Sequence, residues 1–215
     1  MARNKYPEET VEKILTAARK LFLEKGYEKT TIQDIVDNLG GLTKGAVYHH
    51  FKSKEEIMEA ICRQMFQLGN PFDKVRERTD LNALEKMREA IRLTQEPEWS
   101  SLSRQSMGVL QDPHMLRKTI EDNQQIVTPL WLELIEEGNA DGSLHAPYPQ
   151  ETAELLTLLD TLWMVPSLFP ATREGLLRKF RCASEIFASL GVPLIDAEMI
   201  RLADQFFQLM PPEVF

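Results

Sequence analysis

The 215-residue sequence predicts an all-α protein in which a small N-terminal helical unit precedes a larger helical body. Apolar residues recur at intervals of three and four along most of the chain, which places them on one face of an α-helix. No segment alternates apolar and polar residues for long enough to indicate a β-strand. Scattered glycine and proline residues, together with capping residues, divide this pattern into separate helices.

The first two helices follow from their apolar spacing and from the residues at their ends. Apolar positions between Val11 and Phe22 recur at three and four, and Gly26 supplies the end of this first helix. A second helix begins at Thr31, because Asp34 three residues later makes a pattern that resembles a capping box. We expect it to end at the pair Gly40-Gly41.

A third helix completes the N-terminal unit, and a fourth joins it to the rest of the chain. Thr43 is the expected N-cap of a third, very short helix that ends near His49, and Ser53 with Glu56 forms the capping-box pattern of a fourth that runs to about Gly69. A helix, a tight glycine turn and a short second helix make a helix-turn-helix unit, whose second helix enters the DNA major groove. The sequence therefore predicts a three-helix helix-turn-helix DNA-binding domain over residues 1–54, followed by a helical domain over residues 55–215.

Several side chains of this unit have the chemistry needed to contact DNA. Lys44 and Tyr48 are four residues apart and share one face of the short helix, and Gly45 lets the helix backbone approach DNA closely. Thr31 and Thr43 lie at helix N-termini, where the peptide dipoles favour phosphate. The complete set of expected DNA contacts is Thr31, Thr43, Lys44, Gly45, Ala46, Tyr48, His49, Lys52 and Lys54.

The charge distribution also favours a nucleic-acid-binding head. The whole chain has a net charge of −8. Residues 1–54 hold 10 Lys and Arg against 7 Asp and Glu, whereas residues 55–215 hold 15 against 26. The N-terminal quarter is therefore net positive at +3 and the rest net negative at −11. Such an asymmetry is typical of a basic nucleic-acid-binding domain joined to an acidic domain.

The segments "TTIQDIVDNL" and "LTKGAVYHHFKSKEEI" resemble the DNA-binding domain of TetR-type (tetracycline-repressor-like) transcriptional regulators. The resemblance covers roughly residues 10–60. It implies a homodimeric repressor that binds double-stranded operator DNA and responds to a small apolar or amphipathic effector. One difference is the turn: the family's turn commonly reads Ala-Gly-Val-Ser, whereas Ile35 to Thr43 spans nine residues here, one more than the family pattern.

The C-terminal domain is expected to contain longer helices. We predict them near residues 80–95, 98–111, 113–138, 149–169, 172–190 and 195–210. The segment 153–169 is apolar almost all round, with Glu154 and Asp160 as its only charges. A helix without a solvent face is buried on two sides, which favours a two-fold partner over residues 149–190. The alternative is a core helix buried within a single chain. The resemblance agrees with dimerisation, because TetR-type proteins pair through a four-helix bundle.

Six large residues of this domain could line an effector cavity, namely Trp99, Met107, Met115, Trp131, Trp163 and Met164. The resemblance implies that the effector binds inside this domain. The alternative is that these residues are ordinary core, since Trp and Met at helical spacing often only fill space.

Other functional classes fit the sequence less well. Cys62 and Cys182 form no metal-ligand pattern, and the adjacent His49 and His50 point about 100° apart on a helix, so we expect no metal, cofactor or catalytic residue. The longest uncharged run has 12 residues, too short for a membrane span, and the N-terminus lacks an apolar signal region. We therefore expect a cytoplasmic regulator without membrane contact. The alternative is an all-α small-molecule-binding protein or enzyme in which the helix-turn-helix only packs.

Overall fold

The computed structural model describes residues 7–210, and all regular secondary structure in that range is helical. The head contains α1 (Pro7–Lys25), α2 (Ile32–Asp37) and α3 (Lys44–His50), and α4 (Lys54–Gly69) leads into the body. The body helices are α5 (Pro71–Arg76), α6 (Ala83–Leu93), α7 (Pro97–Ser106), α8 (Pro113–Asp141), α9 (Pro149–Leu158), α10 (Arg173–Ser189) and α11 (Ala197–Gln208). The predicted all-α fold is confirmed. Within residues 7–210, no helix is long and apolar enough to cross a membrane.

The helix caps show why the short head helices form. Thr31 Oγ1 accepts a hydrogen bond from the Asp34 amide, and the Asp34 carboxylate accepts one from the Thr31 amide, so the predicted capping box at α2 is present. The Ser53 cap of α4 is also present, at 3.2 Å from the Glu56 amide nitrogen. The second hydrogen bond of the predicted capping box is different, because the Glu56 carboxylate accepts from the amide of Lys52 rather than from that of Ser53. Each cap satisfies amide groups that would otherwise lack a partner.

One expected break in the body contains a helix. The stretch between α4 and the helix expected near residue 80 folds into α5, with Asn70 Oδ1 accepting from the Phe72 amide and Pro71 in the first turn. Proline suits the first helical turn, because its missing N–H group has no helical acceptor there. Phe72 and Val75 are buried, so α5 contributes to the core of the body.

Two expected helices change geometry before they end. The helix predicted over 98–111 tightens into a 3₁₀ segment at Met107–Gln111. The helix predicted over 149–169 stops sooner, since α9 passes into a π-helical turn at Leu159–Trp163, where the Met164 amide donates to Leu159 O at 2.9 Å. Pro166 and Pro170 follow, and each removes a backbone donor that a continued helix would need. The chain from residue 164 to Thr172 is consequently a connection between α9 and α10.

Three apolar clusters form the interior. A head cluster joins buried residues of α1 to α4 with Leu102, Val109 and Met115, so the head packs directly on α7, the 3₁₀ segment and the start of α8. A body cluster is centred on α6, α8, α9 and α10. A smaller C-terminal cluster joins Leu176 of α10 to the end of α11. The head is thus held by α4 and also by side chains from the body.

Candidate nucleic-acid interface

One face of α3 is open to solvent while the opposite face is fixed in the core. Val47 is fully buried in the head cluster. On the outer side, Lys44, Gly45, Tyr48 and His49 are exposed, and 45% of the Tyr48 surface is accessible. These residues follow the one-turn repeat of a helix, so they form one continuous surface. We call this surface the α3 face; it is formed by Thr43, Lys44, Gly45, Ala46, Tyr48 and His49.

The side chains of the α3 face are free of strong internal partners. Lys44 Nζ lies 5.9 Å from the centre of the Tyr48 ring, a distance at which a cation and an aromatic face attract weakly. No carboxylate among residues 7–210 lies within 4.0 Å of that ammonium group. Thr43 accepts a hydrogen bond from the Ala46 amide and so fixes the first turn of α3, while Ala46 itself is only partly exposed. A cation and a phenol hydroxyl on a rigid helix can therefore meet base edges or phosphates directly.

The longer turn before α3 is accommodated by two glycines with positive φ angles. Gly40 has φ of +56° and Gly41 has φ of +115°. The second value lies in a region that residues with a Cβ atom rarely adopt. The additional residue is therefore taken up by the glycine pair, and α3 begins with its capped first turn at Thr43.

Thr31 lies at the start of α2, where its side chain is already engaged. Its hydroxyl donates to Asp34 Oδ2 at 2.7 Å. Lys25 Nζ lies 2.8 Å from the same carboxylate oxygen. This hydrogen bond from Lys25 is the main reason that the pKa of Asp34 lies well below its usual value, and hydrogen bonds from Thr31 lower it further. Thr31 thus orders the start of α2, and Lys25 adds a cation beside it.

The two lysines after α3 have different surroundings. Lys52 is exposed, and its side chain has no ionic partner among residues 7–210. Lys54 is partly buried, and its ammonium group donates to Tyr27 O at 2.8 Å and lies 4.1 Å from the centre of the Tyr27 ring. The structure therefore directs Lys54 toward the α1–α2 connection, whereas Lys52 remains available to solvent.

Tyr27 joins the head to α4 and to the body, a role that the sequence analysis did not identify. Its hydroxyl donates to Glu55 at 3.0 Å, and its amide donates to the side chain of Gln105 in α7 at 2.7 Å. Burial raises the pKa of Tyr27, and the nearby Glu55 charge raises it further. Arg19 of α1 forms an ion pair with Glu98 of α7 at the same junction. Since Tyr27 and Gln105 are 78 residues apart, no local pattern could have revealed this contact.

The six residues predicted to line an effector cavity lie in different parts of the body. Met115 belongs to the head cluster, Met107 packs against the C-terminal cluster, and Trp131, Trp163 and Met164 belong to the body cluster. Trp99 stacks obliquely against Phe66, with 6.3 Å between the ring centres. The structure therefore does not gather all six around one space. Their role in ligand binding stays a prediction.

Comparison with known proteins decides the family. The model of bacterial regulatory proteins of the tetR family matches residues 14–61, which contain α2, α3, most of α1 and the first half of α4. The transcriptional repressor KstR2 of Rhodococcus jostii is 30% identical over 165 residues, covering 70% of this chain and 75% of the relative. The chain belongs to the TetR family. This TetR-family protein is also similar to the regulator TtgR of Pseudomonas putida, at 33% identity over 73 residues and 34% of each chain.

Solved structures agree on the fold of the whole chain. A transcriptional regulator from Cytophaga hutchinsonii superposes with a TM-score of 0.60 at 20% identity, covering 94% of both chains. Salmonella enterica GusR superposes with a TM-score of 0.58 at 20% identity, covering 97% of this chain and 99% of that one. These structures support the fold, whereas the family and the repressor relatives make this TetR-family protein a DNA-binding transcriptional regulator and do not favour the alternative of an enzyme.

Proposed function

We propose that this TetR-family regulator is a cytoplasmic, homodimeric repressor that contacts operator DNA through the α3 face. The observation that carries the proposal is the fixed and exposed α3 face: Val47 anchors the helix while Lys44 and Tyr48 point to solvent. A positioned cation and hydroxyl at the start of a recognition helix suit the major groove. We assign residues 1–54 to the DNA-binding domain and 55–215 to the effector-binding and dimerisation domain.

The remaining residues expected to contact DNA differ in whether their side chains are free to reach it. Lys52 is free to reach phosphate, and Thr31, Thr43, Gly45, Ala46 and His49 lie along the expected path of the DNA backbone and groove. Lys54 is held by Tyr27, so we propose that it supports the head from within and contributes little to DNA affinity directly. This division separates residues that touch DNA from a residue that keeps the DNA-contacting surface in place.

We propose the outward faces of α9 and α10 as the dimer interface. Leu155 and Leu158 of α9 are 38% and 44% exposed, and Ile186 of α10 is 37% exposed. Leu159, by contrast, packs partly into the body cluster of its own chain. Exposed leucines on a helix whose opposite face is buried are typical of a surface that a second copy covers. A two-fold dimer would present two α3 helices to the two half-sites of a pseudo-palindrome.

The effector is proposed to be a small apolar or amphipathic molecule that binds within residues 57–165 and lowers DNA affinity. α7 and the 3₁₀ segment support this proposal, because they connect the body interior to the head through Gln105 and Tyr27. A ligand that moves α7 relative to α4 would change the position of the head. Such coupling is reciprocal, so DNA must weaken effector binding by the same factor.

The test begins with selection of operator DNA from random sequences. We expect a pseudo-palindromic operator whose complex contains two chains, measured by fluorescence anisotropy and analytical ultracentrifugation. Compounds that raise the melting temperature are then tested for release of this operator at fixed salt. A protein that selects no sequence, or that sediments as a monomer both free and bound, would refute the corresponding part of the proposal.

A further inference from the structure

Asp160 lies on the inner side of the π-helical turn that follows α9. It comes four residues after Leu156 and four before Met164, and both of these residues are buried in the body cluster. Residues four apart share one face of a helix. Leu155 and Leu158 of the proposed dimer interface lie on the opposite, outward face. Asp160 therefore faces the body, away from the surface that a second copy would cover.

The carboxyl group of Asp160 is enclosed by protein and is nevertheless accessible. Surrounding protein removes it from bulk water, and this desolvation raises its pKa. The residue still keeps an exposed surface, whereas its neighbours Thr157 and Thr161 are buried. A side chain that is enclosed and yet accessible borders a space between the helices. The combination therefore indicates a carboxylate on the wall of an interior space of the body.

The Asp160 carboxylate has no partner within the described chain. None of the ion pairs and hydrogen bonds formed among residues 7–210 involves it. The hydroxyl groups beside it are paired with α8: Thr157 Oγ1 accepts from Thr128 Oγ1 at 2.9 Å. Thr161 Oγ1 accepts from the Asn123 side-chain amide at 2.8 Å. An enclosed carboxylate without a partner is costly, and its presence in an interior space indicates a ligand of opposite charge.

The apolar residues around Asp160 indicate the rest of the ligand. Leu156 and Met164 share its face of the helix, and Trp131 and Trp163 pack partly buried against the same cluster. An indole ring attracts a cation through its face and also offers a large apolar area. Trp131, Trp163 and Met164 are three of the residues expected to line the effector cavity. Asp160 adds to that set a negative charge that the sequence analysis did not assign to it.

We propose that the interior site of the body binds an amphipathic cation, with its charged group against Asp160 and its apolar part against Trp131, Trp163 and Met164. This inference rests on the effector site proposed above and deepens it by naming the charge of the ligand. An apolar ammonium compound supplies the missing partner of the carboxylate while its chain or ring is removed from water. A neutral or anionic compound of the same shape would leave the carboxylate unpaired.

The first experiment compares ligands that share a shape and differ in charge. Decylammonium and 2-naphthylmethylammonium are titrated into the full chain by calorimetry beside decanol, 2-naphthylmethanol, decanoate and 2-naphthoate. We expect at least one cation to bind about tenfold or more tightly than its alcohol, the equivalent of one charge-assisted hydrogen bond. The matching carboxylate should bind more weakly than the alcohol, because it would face a like charge.

The second experiment assigns the preference to Asp160. Asp160→Asn keeps the shape of the side chain, so it should abolish the preference for the cation and leave the affinity for the alcohol unchanged. It should not lower the melting temperature, because the carboxylate has no partner to lose. Glu154→Gln is the matched control, since Glu154 is the other charge of the segment 153–169 and is exposed. This control should keep the preference.

Operator release by each compound is measured separately, by fluorescence anisotropy at fixed salt. The inference is overturned if neither cation is preferred over its alcohol, or if Asp160→Asn and Glu154→Gln bind the cations alike. Compounds that release the operator equally well whatever their charge would also overturn it, while leaving the proposed effector response intact. A cation that binds through Asp160 and leaves operator affinity unchanged would support this inference and refute only the proposed effector role.

Discussion

Replacement of Lys54 by methionine tests whether Lys54 stabilises the fold or contacts DNA. The substitution removes the hydrogen bond to Tyr27 O and the contact with the Tyr27 ring, while it keeps most of the aliphatic stem. A hydrogen bond from a charged donor contributes about 1.5–3 kcal/mol and a partly exposed cation–π contact about 0.5–1 kcal/mol. Because Lys54 is only partly buried, solvent weakens both the hydrogen bond and the cation–π contact. We therefore expect the variant to lose about 2 kcal/mol in the free energy of unfolding.

The matched control is Lys44→Met, which removes an exposed lysine of the α3 face with no ionic partner among residues 7–210. Its unfolding free energy should stay within about 0.5 kcal/mol of the wild type. Urea denaturation measures stability, and operator affinity is measured against salt at a temperature where both variants are folded. A phosphate contact adds about 0.9 to the slope of log affinity against log salt, so Lys54→Met should keep that slope. Wild-type stability with a reduced slope for Lys54→Met would refute this assignment.

Three further predictions concern assembly, a glycine contact and pH. Leu158→Glu should yield monomers or aggregates, because it places an unpaired charge in the proposed interface, whereas Leu209→Glu at the exposed end of α11 should sediment like the wild type. Gly191→Ala should lower the free energy of unfolding, measured by urea denaturation, more than Gly142→Ala does. The two glycines have similar φ angles, +79° and +81°, so the backbone strain of about 1–2 kcal/mol is the same in both variants. Only at Gly191 would the new Cβ atom also overlap a facing backbone carbonyl. Equal losses would contradict that contact. Tyr27→Phe should lower the free energy of unfolding by about 1 kcal/mol at neutral pH. The pKa of Tyr27 is raised in the folded protein, so above about pH 10 the tyrosine ionises only in the unfolded chain, which destabilises the wild type. The stability difference between wild type and variant should therefore shrink as the pH rises above about 10.

Local features of the fold could be predicted from sequence because they depend on residues a few positions apart. The Thr31–Asp34 cap, the glycine turn and the Lys44–Tyr48 spacing are all of this kind. The early end of α9 was missed because a π-helical turn leaves no clear periodic signal, although Pro166 marks where a helix cannot continue.

Contacts between distant parts of the chain could not be predicted in the same way. Lys54 and Tyr27 are 27 residues apart, so the positive charge of Lys54 alone suggested a DNA contact. The division of the other five predicted cavity residues, apart from Trp99, among three clusters likewise depends on how the helices of the body pack. Residue type indicates that such side chains are buried, and only the packing shows which neighbours they share.

The central proposal, that the α3 face reads DNA, is tested most directly by the double variant Lys44→Ala and Tyr48→Ala. Each substitution should weaken binding of the selected operator by about 1–3 kcal/mol if the contact is direct. Fluorescence anisotropy at fixed salt gives the affinity, and circular dichroism with sedimentation shows whether the fold and assembly are retained. We expect a folded protein with wild-type assembly and strongly weakened operator binding. A folded double variant with wild-type operator affinity would contradict the proposal.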